Sequence, residues 1–405
     1  MVEDLKVVTI GGGTGSSTLL KGLKKYFKDI TAIVTVADDG GSSGMLRDDL
    51  GVIPPGDIRA CLISLANTEK SMEKLMKYRF KEGNLKGQSF GNLFLVAMAD
   101  IYKDFVLGIQ ETSNILAITG KVLPVTLDNI KLFAELENGE IIEGESNITA
   151  LNLEDENSSR INRVFISPKY AKPLNEVVHE IYNSDVILIG PGSLYTSVIP
   201  NLLISEISEA LANTKAKICF ILNVVNQSTE TFDYKVTDHL NAIYKHCEGI
   251  KIDTIIVNNE IIPDDVDLKY KRKSASQLLL SDEERENLKK LNIRVLEDNL
   301  ISKSSGYSRH NEDRLARLIL ENFLDSYNCA SEFFADIYGI DEIFVSELIE
   351  SGKFLITNKE EYCDYIKLAC KYWKSRLEQN KIKNYLSTSM IENYQAHQSF
   401  FLFSL

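Results

Sequence analysis

Short runs of β-branched residues alternate along the chain with stretches whose apolar positions recur every three or four residues. The runs Val7 to Ile10, Ala32 to Val36, Val186 to Ile189, Ile218 to Asn223, Ile252 to Val257 and Ile293 to Val295 predict strands, mostly separated by amphipathic helices. This alternation predicts an α/β fold: a Rossmann-like, mostly parallel sheet with helices on both faces. Phe133 to Ile142 departs from it, because an Asn138-Gly139 pair between two alternating runs predicts a small antiparallel hairpin. There is no internal repeat and no low-complexity linker. The pattern predicts a Rossmann-like domain over 1–325 and a helical C-terminal extension over 326–405, where Tyr362 to Leu377 has apolar residues at helical spacing. A small cap on the main domain and a partner-binding module are both open for that extension.

The sharpest local signal is Gly11-Gly12-Gly13-Thr14-Gly15-Ser16, lying between the apolar run Leu5 to Ile10 and the helical pattern that starts near Thr18. Strand, glycine loop and helix in that order present backbone N–H groups and a positive helix end to an anion, so the loop predicts a phosphate or nucleotide site. A tight connection with no ligand is the bland alternative. The loop is not the dinucleotide fingerprint, since Ser16 stands where the third glycine belongs. It also lacks the Gly-Lys-Ser/Thr ending of a P-loop, so neither NAD binding nor ATP hydrolysis follows.

Four further segments belong with it, and a short one follows near the end. Ala37-Asp38-Asp39-Gly40-Gly41-Ser42-Ser43-Gly44 closes the second strand, where ligands of open α/β sheets sit. Its two carboxylates suit a ribose hydroxyl, a Mg²⁺ ion beside phosphates or a general base, while the same residues also make a good turn. Asp57 and Arg59 flank a predicted helix start; Arg59 can clamp a phosphate or merely pair with an acid nearby. Asn92, in Ser89-Phe90-Gly91-Asn92, can read a base or sugar amide. Gly190-Pro191-Gly192-Ser193 repeats the arrangement of strand, glycine turn and helix mouth, and Ser308-Arg309-His310-Asn311 places Arg309 at another.

Composition narrows the function classes. The 405 residues are 44% hydrophobic and carry a net charge of −13, which argues against a general nucleic-acid binder. Six cysteines without C-x-x-C spacing suit reduced thiols, and the histidines form no zinc-ligand spacing. The uncharged stretch Val186 to Ile204 is divided by Gly190-Pro191-Gly192 and Pro200, so no membrane span is expected. An acidic start without a basic n-region completes the expectation of a cytoplasmic protein.

In order and spacing these five segments closely resemble the bacterial gluconeogenesis-factor family, which binds uridine-diphosphate sugars and is related to 2-phospho-L-lactate transferase. The resemblance covers roughly residues 1 to 320. It implies a modified Rossmann-type fold whose crevice holds a nucleotide diphosphate, with UDP-N-acetylglucosamine as the ligand of the regulatory branch. That branch supports growth on gluconeogenic carbon, cell-wall precursor supply and cell shape, which implies a protein partner in amino-sugar or cell-wall synthesis. The transferase branch moves 2-phospho-lactate and uses Mg²⁺. A regulator requires no cofactor; if a metal takes part, Mg²⁺ on Asp38 and Asp39 is the expectation. A homodimer is left open.

The resulting ligand set is Gly11, Gly12, Gly13, Thr14, Gly15, Ser16, Asp38, Asp39, Ser42, Ser43, Asp57, Arg59, Asn92, Gly192, Ser193 and Arg309. Departures from the family pattern are Gln88 in place of a histidine, Asn311-Glu312 after Arg309-His310, and Asn226 to Thr231 in place of a Thr-Gln-Pro-Gly-Glu-Thr-like loop. Asn311 is expected to cap a helix and so preserve the placement of Arg309.

Overall fold

Val7–Gly11 (β1) is buried along its whole length, and the reason is its position inside a seven-stranded parallel sheet, with a strand paired on each edge. The computed structural model of the protein describes residues 5–151, 159–262, 276–302 and 309–323. Beside β1 lie Ile30–Val34 (β2) and, at the edge, Lys121–Pro124 (β3). On its other side follow Val186–Ile189 (β7), Lys217–Ile221 (β8), Thr254–Asn258 (β9) and Arg294–Asp298 (β10). The order β10-β9-β8-β7-β1-β2-β3 makes the chain run outward from the centre twice, and the two halves part between β1 and β7. In doubly wound sheets that parting opens a crevice beyond the carboxyl ends of the strands.

All six expected strands are present, with β7 at its expected bounds and β2 two residues earlier than its hydrophobic run suggests. The Asn138-Gly139 hairpin is also present: Lys131–Leu136 (β4) pairs antiparallel with Ile141–Glu143 (β5). It belongs to a larger unit than expected, because Ile161–Ser167 (β6) pairs with the other edge of β4 to give a three-stranded sheet.

The helices that matter for the crevice start at the carboxyl ends of strands. Gly13–Leu23 (α1) follows β1, and Gly41–Leu50 (α2) and Gly56–Leu65 (α3) follow β2. Lys70–Lys77 (α4) and Phe90–Tyr102 (α5) precede Phe105–Ile115 (α6), and Glu145–Thr149 (α7) follows the hairpin. Asn175–Tyr182 (α8) leads into β7. A π-helical turn, Leu194–Val198, and Ile199–Leu202 (α9) leave it. Then come Ser205–Asn213 (α10), Val236–His246 (α11), Asp282–Lys290 (α12) and Glu312–Phe323 (α13). Among the described residues no helix is long and apolar enough to cross a membrane.

The chain divides into two units, Glu3–Ile319 and Met1–Val2 with Leu320–Leu405; both sheets belong to the first. The extension expected over 326–405 lies outside the described residues.

Candidate functional site

Gly11 to Gly15 leave the end of β1 and Gly190 to Ser193 leave the end of β7, so the two glycine loops meet where the sheet parts. They touch backbone to backbone: a Cβ on Gly15 would stand 2.4 Å from the carbonyl oxygen of Pro191. Gly13 turns the loop into α1 at φ +66°, a conformation that glycine adopts without the clash a side chain brings.

Two cavities open from this junction. The first, about 280 Å³, is lined by Gly12 to Gly15, Gly192 and Ser193, together with Asn223, Gln227 and His310. The second, about 440 Å³, is lined by Asp38, Ser42, Ser43, Asp57, Arg59 and Asn92, together with Lys21, Lys77 and Arg79. Gly13, Thr14 and Arg309 line both. Of the residues named from the sequence, Gly11, Ser16 and Asp39 line neither.

The two adjacent aspartates diverge. Asp38 faces the second cavity and accepts the N–H of Gly40 at 2.9 Å. Asp39 turns to the hairpin unit, where its carboxylate accepts the N–H groups of Glu145 at 3.1 Å and Ser146 at 2.8 Å and so caps α7. Asp57, from α3, is the carboxylate that joins Asp38 in the cavity. Protein crowds round its carboxyl, and that desolvation, reinforced by the charge of Asp38, pushes its pKa up to about 7 against the opposing pull of the Gly13 N–H and Arg59. Glu145 behaves alike: burial first, then Asp38 and Asp39, push it up to about 8. Among the described residues no group of three or more His, Cys, Asp or Glu is arranged to hold a metal ion.

The two helix mouths at the junction differ. The sequence offers α1 and the helix after Gly192 as equivalent anion sites, but the second is filled from within. Glu230, fully buried, accepts the N–H of Tyr195 at 2.9 Å and the Thr196 hydroxyl at 2.7 Å. Asn223 closes the turn before it, accepting the Gly192 N–H at 3.1 Å and donating to the Gly192 carbonyl at 2.8 Å. Glu230 and Asn223 thus hold the second glycine loop rigid against the first. At α1 the Asp57 carboxylate accepts only the first N–H, that of Gly13, and Thr14 and Gly15 face the first cavity.

Gln88, the departure from the family pattern, accepts a hydrogen bond from Ser42 at 2.7 Å. The same hydroxyl oxygen accepts from Asn92 Nδ2 at 3.1 Å and from the Ser89 N–H at 3.0 Å. These bonds tie the mouths of α2 and α5 together under the second cavity. Asn92 Oδ1, on a residue 2% exposed, has no partner among the described residues.

Arg309 reaches the junction because residues 309–311 run antiparallel to 300–302, the continuation of β10. Asn311 accepts the N–H groups of Asp313 and Arg314, each at 3.1 Å, and caps α13 as expected. His310, between Arg309 and Asn311, carries a further signal. His310 is 7% exposed, gives one N–H to the Leu222 carbonyl, and leaves a buried Nε2 without a partner on the wall of the first cavity. Burial lowers its pKa to about 4, so at neutral pH that nitrogen is an acceptor. Gln227 repeats the pattern, donating from Nε2 to Ser193 at 2.8 Å while its Oε1 is unpartnered.

A doubly wound α/β protein with a two-chambered polar crevice at its switch point is the class that this fold and site define. The family is more particular. The profile of 2-phospho-L-lactate transferase CofD matches residues 7–301, and the chain belongs to that family. The gluconeogenesis factor of Bacillus subtilis is 44% identical over 322 residues, covering 79% of this chain and 99% of that protein. The gluconeogenesis factor of Halalkalibacterium halodurans is 45% identical over 316 residues, covering 78% of this chain and 95% of that protein. A crystal structure of a upf0052 family member from Bacillus halodurans superimposes with a TM-score of 0.74 at 44% identity, covering 79% of this chain and all of that one. The resemblance read from the five sequence segments is borne out at the level of the family.

Proposed function

We propose that the protein is a nucleotide-sugar sensor that binds UDP-N-acetylglucosamine in the crevice between β1 and β7. In this reading it serves gluconeogenic growth, cell-wall precursor supply and cell shape, acting in the cytoplasm through a protein partner in amino-sugar or cell-wall synthesis. The observation that carries it is the junction itself: Thr14 and Gly15 at the mouth of α1, beside the Gly13 N–H that Asp57 accepts, and Arg309 form an anion seat between two polar chambers. The unpartnered acceptors His310 Nε2 and Gln227 Oε1 in the first chamber suit the hydroxyl and imide N–H donors of a uridine. Arg309, the one charged side chain shared by both chambers, is the natural reporter of occupancy to a partner.

A second reading, transfer of a phospho-lactate-type group, is favoured by Asp57, whose pKa near 7 suits a general base. A Mg²⁺ ion shared with phosphates would rest on Asp38 and Asp57 and would neutralise charge there; Asp39 is committed to α7. Calorimetric titration with UDP-N-acetylglucosamine, UDP-glucose and GDP, paired with product analysis, separates the readings. Tight binding of UDP-N-acetylglucosamine with intact ligand recovered supports the sensor. Cleaved ligand favours the transferase, and absence of binding by all three refutes a nucleotide site.

A further inference from the structure

The second cavity carries more positive charge than a nucleotide sugar needs. Lys21, Arg59, Lys77, Arg79 and Arg309 line it, Lys77 already paired with Glu73, while the carboxylates of its wall are Asp38 and Asp57, in a chain whose net charge is −13. Residues 78–80 pair with 88–90, and this pairing places Arg79 beside Ser89, the residue whose hydroxyl accepts from Arg59. Each guanidinium is therefore held by a neutral group, Arg59 by Ser89 and Arg79 by the Gly87 carbonyl. Among the described residues neither has a carboxylate within ion-pair distance, and Arg59 Nε is buried with no partner at all. Burial first, then the charge of Arg79, lowers the Arg59 pKa, and Asp57 and Asp38 oppose this only in part. The Arg59 guanidinium, partly desolvated and with its Nε unpartnered, is costly without an anion, and the exposed Arg79 adds a second cation at the rim of the same cavity. The first turn of α2, which has no side-chain cap, lines the same cavity through Gly41, Ser42 and Ser43. The same cavity also holds acceptors: Asp38, Asp57 and the orphaned Asn92 Oδ1.

We propose that the second cavity is a separate binding site for a small hydroxylated phosphomonoester, of the sugar-phosphate class, whose phosphate lies between Arg59 and Arg79 and whose hydroxyls meet Asn92, Asp38 and Asp57. It rests on the nucleotide reading only in assigning the diphosphate to the α1 mouth and Arg309. A neutral sugar of the nucleotide would leave the Arg59–Arg79 pair uncompensated, whereas a phosphate dianion matches it and a hydroxylated tail matches the acceptors.

The test is calorimetry on the full chain, free and saturated with UDP-N-acetylglucosamine, using glucose 6-phosphate, inorganic phosphate, gluconate and glucose as probes. Glucose 6-phosphate should bind one per chain in both states, inorganic phosphate more weakly and glucose not at all. Arg79→Gln should weaken glucose 6-phosphate at least tenfold and leave UDP-N-acetylglucosamine within twofold. Arg59→Gln should do the same to glucose 6-phosphate, and circular dichroism checks that each variant is folded. Failure of glucose 6-phosphate to bind, full affinity in folded Arg79→Gln, or one-for-one displacement of the nucleotide sugar overturns the proposal. Tighter binding of gluconate overturns the choice of phosphate. If UDP-N-acetylglucosamine does not bind, the nucleotide reading falls while the titration of the free protein still decides this site.

Discussion

Gly15→Ala is the substitution that most directly tests whether the two glycine loops act as one device. The backbone at Gly15 has no positive φ, so alanine brings no conformational strain of its own. Its methyl would stand 2.4 Å from the Pro191 carbonyl oxygen, 2.7 Å from the carbonyl carbon and 3.0 Å from the Gly192 nitrogen. A carbon normally approaches such an oxygen to about 3.3 Å at closest, so the loops must part by roughly 1 Å. Neither can yield cheaply: α1 is anchored on a buried strand, and Asn223 and Glu230 hold the Gly190 loop. Overpacking of this kind costs about 1–3 kcal/mol. At roughly 2–4 °C per kcal/mol for a domain approaching this size, the melting temperature should fall by about 2–12 °C. Moving Thr14 and Gly15 off the ligand should also cost about one charge-assisted hydrogen bond, or a ten- to hundredfold loss of UDP-N-acetylglucosamine affinity. Gly51→Ala is the control. It has φ +65°, open space around it and no place in either cavity, so it should lose about 1–2 kcal/mol to strain with affinity intact. Melting curves without ligand and calorimetry with it give both numbers, and wild-type values for Gly15→Ala in both would refute a rigid junction.

Asp57 predicts a pH dependence. Its folded pKa is raised, so the native state holds an extra proton between the ordinary carboxylate range and about 7, and this contribution to stability is lost as pH rises through about 7. Ionisation also sets a negative charge beside the anion seat, so nucleotide-sugar affinity should fall from pH 6 to 8 in wild type and stay level in Asp57→Asn; parallel pH profiles would count against it. His310 has the opposite sign: its lowered pKa makes folding stability decline as pH drops from the ordinary imidazole range towards about 4. Because the two ranges overlap, each is read as wild type minus its own variant. Nitrogen NMR should show His310 neutral at pH 6 with Nε2 unprotonated, and His310→Ala should bind about tenfold more weakly, the worth of one hydrogen bond; an imidazolium at pH 6 would contradict the acceptor role. Glu230→Gln turns a donor towards the Tyr195 N–H or the Thr196 hydroxyl, and should lower stability by about 1–3 kcal/mol while speeding amide exchange over residues 194–198. Unchanged exchange there would remove Glu230 as the clamp of the second loop.

What the sequence made legible depended on locality. A strand that ends in four glycines, an Asn-Gly hairpin and an asparagine before a helix are determined within a few residues, and β1, the β4–β5 turn and the Asn311 cap all appear in place. The third strand of the small sheet escaped notice although Ile161–Ser167 is buried at its first, fourth and sixth positions, because the irregular first step hides its period of two. Lys121–Pro124 was hidden too: it has four residues and ends in proline, which an edge strand tolerates. The site followed the same rule. Lining residues supplied by glycine loops were found, whereas Arg79 and Lys77 sit in an ordinary charged stretch and acquire meaning only when residues 78–80 fold back on 88–90. Asp38 and Asp39 mislead as a pair because adjacent residues in extended backbone point opposite ways, and only one of them can face the crevice.

The chemistry of the crevice is divided by which helix mouths the protein fills itself. Several helix starts come to this end of the sheet or to the cavity floor, and a chain that left all of them open would bind anions without discrimination. Glu230 closes the start after β7, and Ser42, fixed by Gln88, occupies the space between α2 and α5. The α1 start is left open towards the first cavity, where the unpartnered groups on the wall are acceptors, His310 Nε2 and Gln227 Oε1. In the second cavity Arg59 Nε is an unpartnered donor and Arg79 lies beside it without a carboxylate. A ligand that brings hydroxyl and imide donors is thereby sorted to one side of Arg309 and a further anion to the other. Exchanging these polarities, for example with Arg79→Glu, should abolish anion binding in the second cavity and leave the donor-reading face of the first intact.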